Sequence, residues 1–308
     1  MSAVFVVSVL MTIAAAATPI LIAALGELVA EKSGTLNLGV EGMMLVGAVT
    51  AFGTAVTTGH PWLGVVAAMA AASLASLIFA YLTLTLTANQ VATGLALTIF
   101  GTGVSALAGA PYVGITTETL PLLFPDGLAG DPLWRVVFGH SPLVYLGLAL
   151  TFGTWWFLNH SRAGLILRAV GESDAAAHSI GYPVIAVRYL AVLFGGAMAG
   201  LGGSFYSLVL TPMWAERLTA GRGWIAIALV VFASWKPGRL LVGAYLFGAV
   251  ITLELQAKAA GFSALAPEFL SSLPYLATIL VLALISAGRG RRNAAAPACL
   301  GKPFRPST

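Results

Sequence analysis

Long apolar runs, cut by short polar or Gly/Pro-bearing breaks, set the pattern of this 308-residue chain. A helix that spans a bilayer takes about 20 such residues. The runs fall at roughly 5–29, 38–57, 63–87, 91–110, 142–158, 187–212, 224–235, 239–257 and 273–287. The seventh is too short to span alone, so it is tilted, broken or continuous with Gly221–Gly223. Thr18-Pro19 and Ser33-Gly34 punctuate the pattern. The expectation is an all-α, polytopic transmembrane bundle of about 8–10 spans. Residues 1–288 would form the membrane domain, and 289–308 a basic cytoplasmic tail, disordered.

Basic residues orient this map, because cytoplasmic loops carry the excess of Lys and Arg. With the C-terminus inside, only Arg135, Arg217, Arg222 and Lys258 of the 15 basic residues fall outside. The loop 111–141 then lies outside and, with Pro121, Pro125 and Pro132, reads as irregular cover. The loop 159–186 lies inside. Its run Ala175-Ala176-Ala177 predicts a short helix, capped by Ser173 or Asp174 and ended by Gly181. An exposed helix there suits docking into another protein; an ordinary polar connector fits the composition equally. No Lys or Arg precedes Lys32, so the first run reads as a retained membrane helix and not a signal peptide.

Composition agrees with the pattern. Hydrophobic residues make up 59% and charged residues 8%, against about 25% charged in a soluble domain. The 35 glycines suit close helix packing. Small residues recur four apart at Gly196/Gly200, Ala199/Gly203 and Ala244/Gly248. The net charge of +4 does not point to nucleic acid. One cysteine, Cys299, excludes an internal disulfide, and His60, His140, His160 and His178 stand apart at helix ends.

The sequence holds no Gly-x4-Gly-Lys-[Ser/Thr] loop, no His-Glu-x-x-His and no Gly-x-Ser-x-Gly elbow. Catalytic, cofactor-binding and metal-ligating residues are therefore not expected. Ionisable groups at membrane depth are costly and functionally suspect. Glu41 follows Ser33–Val40, whose Gly and Asn content predicts an interrupted turn. Asn37 and Glu41 either shape a translocation path or anchor this turn, with anchoring favoured for Glu41. Glu27 and Glu254 read as interfacial. Asn89, Gln90, Thr93 and Thr98 offer neutral hydrogen-bonding groups suited to an uncharged polar solute, or simply cap a helix. Trp214, Trp224 and Trp235 fit an interfacial aromatic belt, with Trp224 also placed to line the path.

Four stretches carry a resemblance. Leu25–Met44 (LGELVAEKSGTLNLGVEGMM), Asn89–Leu97, Arg168–Gly181, and Gly221–Leu229 with Trp235-Lys236-Pro237 occur in this order. Together they resemble bacterial ABC-importer permeases of the nucleoside and simple-sugar type, within the branched-chain amino acid and ribose permease superfamily. The resemblance implies an ABC importer permease fold in the inner membrane, with a second homologous permease as partner, in a heterodimer. It also implies a separate ABC ATP-binding subunit that holds ATP and Mg, and an external or lipid-anchored solute-binding protein. The coupling element would comprise Arg168, Glu172, Asp174, Ala175, Ala176, Ala177, His178 and Gly181. The wider pattern Glu-Ala-Ala-x3-Gly is not kept: aligning Gly181 puts Ala175 at the Glu position. Nucleosides are the first substrate expectation and simple sugars the second. An ion-coupled secondary transporter is the alternative class.

Overall fold

The structure, a computed structural model, describes residues 3–124, 132–259 and 296–305, with Ser272, Leu273, Leu276, Ile279 and Ala283 besides. The ninth run, 273–287, and residues 289–295 of the expected tail lie essentially outside the described residues.

Eleven α-helices follow one another among the described residues: α1 (Ala3–Lys32), α2 (Val40–Thr58), α3 (Pro61–Ala80), α4 (Gln90–Gly109), α5 (Pro132–Phe138), α6 (Pro142–His160), α7 (Arg162–Glu172), α8 (Asp174–Ser179), α9 (Val184–Phe205), α10 (Arg222–Phe232) and α11 (Pro237–Ala259). Single π turns, Tyr81–Thr85 and Tyr206–Leu210, extend α3 and α9. Extended pairing among the described residues is limited to the isolated bridges Val113–Trp214 and Thr116–Met213.

Six of these helices are long and apolar enough to cross a membrane. They coincide with the expected runs, and α6, at 19 residues, fills the fifth. The short seventh run is a half-helix. At 11 residues α10 reaches about 16 Å, near half the hydrocarbon thickness.

The bundle is organised around α9, which packs against α1, α2 and α3; α11 lies along α1, and α4 along α2. Lipid tails are as apolar as leucine, so helix association here depends on close approach and not on water exclusion. The sequence supplies the means. A side chain on Gly47 would place its Cβ 2.5 Å from the Gly200 Cα, and one on Gly200 would collide with the Ala68 carbonyl. Backbone contact of α9 with α2 and α3 thus requires glycine at both positions.

Residues 296–305, part of the stretch expected as a disordered tail, lie against the bundle. Its Cys299 N–H donates to the Gly171 carbonyl at 3.0 Å, and its Gly301 N–H donates to the Gly34 carbonyl at 3.1 Å. Leu300 packs on the main core and Phe304 on Val170, Ala177 and Val184. These backbone bonds and apolar contacts offset the entropy of ordering the segment.

Candidate functional site

Two constellations stand out. The first holds the broken helix. The segment 211–221 is irregular, with Arg217 and Ala220 at positive φ, and it delivers α10 with Gly221 as its cap at φ 80°. A helix start leaves N–H groups without partners, and at membrane depth these must be met inside the protein. Glu41 meets them. Its Oε1 accepts from the Thr219 hydroxyl at 2.5 Å and the Gly221 N–H at 2.8 Å, and its Oε2 accepts from the Gly223 N–H at 2.6 Å. The carboxylate also faces the positive end of the α10 dipole. Glu41 thus anchors the entrance of α10, reaching it from the start of α2.

The turn between α1 and α2 is interrupted as the sequence predicts. Asn37 donates its N–H to Glu27 Oε1 at 3.0 Å, and its Oδ1 accepts from the Gly39 N–H at 2.8 Å. Gln90 Oε1 accepts the Leu36 N–H at 2.8 Å, and the Thr98 hydroxyl donates to the Leu38 carbonyl at 2.9 Å. Asn89 caps α4, accepting from the Ala92 N–H at 3.0 Å. Thr93 is half-buried on α4, and Trp224 is partly buried against the core. Apart from Thr93, the polar path candidates are thus engaged in scaffold contacts.

Three expectations change. Glu27 is buried beneath the turn, not interfacial. Trp235 is buried too: at φ 55° it turns inward and donates its Nε1–H to Glu31 Oε2 at 2.5 Å. Trp214 is packed against Ala48, Val49 and Phe52, not on a belt. Glu31, fully buried, passed unnoticed in the sequence. The Glu27/Glu31 spacing of one helical turn was the available signal.

The second constellation is the face formed by α7 and α8. Ser161 caps α7, its Oγ accepting from the Gly164 N–H at 2.9 Å. Ser173 caps α8, accepting from the Ala176 N–H at 3.3 Å, while Asp174 Oδ1 accepts from the Ala175 N–H at 2.8 Å. Gly181, at φ 92°, ends the hairpin, with its N–H donating to the His178 carbonyl. Ala177 points inward onto Val170 and Val184; Glu172, Ala175, Ala176 and His178 are exposed. Arg168 instead lines a cavity of about 510 Å³ with Lys32, Lys236 and Arg239.

Arg188, the largest fully buried side chain among the described residues, was missed as a site residue. Its guanidinium donates through Nε to the Ser33 carbonyl at 3.1 Å, through Nη1 to the Lys302 carbonyl at 3.3 Å and through Nη2 to Asp174 Oδ2 at 3.0 Å. It lies in an apolar span, and only the fold reveals what it joins.

A multi-pass helical bundle with a half-helix pinned inside it and a short helix displayed at one face is an architecture that suits a membrane permease. The chain belongs to the family described as the permease component of the branched-chain amino acid transport system, whose profile matches residues 9–286. It is 40% identical to a putative glucose ABC transporter permease protein of Haloferax volcanii, over 87% of this chain and 88% of the relative. It is 33% identical to a guanosine ABC transporter permease protein of Bacillus subtilis, over 86% and 88% respectively. A nucleoside ABC transporter permease protein of Lactococcus lactis is 28% identical over 87% and 88%.

Proposed function

We propose that this chain is one of two permease subunits of an ATP-driven importer in the plasma membrane, and that it carries nucleosides delivered by an external binding protein. The observation that supports this most is α8, a capped helix held at one face with most of its side chains outward. In this reading that face is cytoplasmic, and α8 seats in a cleft of a separate ATP-binding subunit that holds ATP and Mg. ATP binding favours one of two arrangements of the helices, and α8 transmits the preference because it is rigid and docked. The second permease is a homologous, non-identical chain, and the two enclose the path between them.

Relatives named for guanosine and nucleoside transport support the substrate class. The 40% identity to a putative glucose permease favours simple sugars as the second reading. The test is uptake of labelled guanosine by vesicles holding both permeases, the ATPase and the binding protein. We expect ATP-dependent uptake that unlabelled nucleosides compete away and glucose does not. Competition by glucose alone would transfer the assignment to sugars. Uptake that follows an ion gradient without ATP would reject the importer.

A further inference from the structure

The α8 helix does not hold its position through its own packing alone. It is six residues long and sinks one side chain, Ala177, into the protein. What fixes its direction is Asp174, whose two oxygens divide their work. Oδ1 accepts the Ala175 N–H of α8 itself, and Oδ2 accepts from Arg188 on α9. Arg188 then reaches two other segments, the carbonyl of Ser33 at the end of α1 and the carbonyl of Lys302 in the segment 296–305.

That segment closes the arrangement. It bonds Gly171 at the end of α7 and Gly34 in the α1–α2 turn, and Phe304 stands edge-on to His178 of α8 at 5.5 Å between centroids. A buried guanidinium is tolerated only when its donors are satisfied. Removing 296–305 would deprive the Nη1 group of its Lys302 acceptor and leave the Gly34 and Gly171 carbonyls without these donors. The burial of Arg188 and the docking of the segment therefore depend on each other. The same α1–α2 turn continues through Leu36 and Leu38, which bond Gln90 and Thr98 of α4, to Glu41 at the start of α2, which holds α10. A bonded route thus runs from the exposed helix to the half-helix inside the bundle.

We infer that Arg188 and residues 296–305 form a clamp that locks α8 to the α1–α2 turn, so that movement imposed on α8 reaches the interior of the permease. Arg188 is a positioning residue in this scheme. The inference rests on the importer reading, in which α8 receives the motion of the ATPase. A lysine cannot replace the guanidinium, because one compact ammonium lacks the planar fork that serves three segments at once.

Cys299 supplies a native probe, as it is the sole cysteine and is buried where the segment meets α7, with its Sγ near the Glu172 carbonyl. The experiment uses the full complex of both permeases, ATPase and binding protein in vesicles, with wild-type, Arg188→Lys, Phe304→Ala and a chain ending at residue 295. Two quantities are read: the rate of Cys299 labelling by a maleimide (in the three full-length forms), and ATP hydrolysed per solute imported. Shielding in the wild type should slow labelling by about tenfold or more relative to a denatured control. Arg188→Lys and Phe304→Ala should label faster. All three variants should raise the ATP spent per solute by about threefold or more, with the ATPase still co-purifying. An unchanged ATP-to-solute ratio in assembled variant complexes would overturn the clamp, as would free labelling of Cys299 in the wild type. Should Arg188→Lys fail to assemble, Phe304→Ala and the shortened chain decide the matter. A wild-type complex with no ATP-dependent uptake would reject the importer reading, a different failure from a working importer whose ratio the variants leave unchanged.

Discussion

Glu41 carries the account at the scale of single residues. Three donors from the α10 entrance converge on its carboxylate, and hydrogen bonds to a charged group contribute about 1.5–3 kcal/mol each. These contributions do not add simply, because the three donors share one anchor. Glu41→Ala should still lower stability by more than about 3 kcal/mol, read as a fall in the thermal midpoint of the purified permease. Glu41→Gln keeps an acceptor oxygen and should fall less. Equal midpoints for wild type and Glu41→Ala would show that α10 is held by packing alone. Gly200 makes the complementary case, since its missing side chain is what permits α9 to touch α3. Gly200→Val should reduce the fraction of monodisperse protein recovered in size-exclusion chromatography, because overpacking of this kind costs about 1–3 kcal/mol or more. Recovery at the wild-type level would mean that the helices separate at little cost.

Among the elements, the long helices were legible because a run of some twenty apolar residues has few other uses. The half-helix α10 was legible as a shortfall in length, and the interrupted α1–α2 turn as Gly and Asn around Ser33–Gly39. The short helix α8 could be read from Ser173, the alanines and Gly181. Hidden were the partners that arrive from far along the chain. Glu27 and Trp235 looked interfacial because local sequence cannot say that the α1–α2 turn and α1 close over them. The segment 296–305 looked like a solvated tail because its bonds go to Gly34 and Gly171. Arg188 counted only as one of the basic residues assigned to the cytoplasmic side. The α8 element carries its own prediction. Gly181 sits at φ 92°, where a β-branched residue is strained by roughly 1–2 kcal/mol. Gly181→Val, and Glu172→Lys on the exposed edge, should each lower ATP-driven uptake while the binding protein's affinity for solute stays the same. Undiminished uptake in both variants would count against α8 as the coupling element.

At the scale of the whole molecule, everything depends on which side of the membrane α8 occupies. The bundle gathers the end of α1, the hairpin α7–α8, the start of α9 and the segment 296–305 at one face. The cover segment 113–124 meets the 208–214 stretch through the Thr117 and Leu120 N–H groups, at the other ends of α4 and α9. An ATPase can drive the permease only if the first of these faces looks into the cytoplasm. Ala176 is exposed at the centre of α8, so Ala176→Cys combined with Cys299→Ser places a single reactive thiol there. A membrane-impermeant maleimide applied to right-side-out and inverted vesicles reads its side. The account predicts labelling in inverted vesicles alone, and protection there once the ATPase is bound. Labelling in right-side-out vesicles would contradict it, because no cytoplasmic motor could then reach α8.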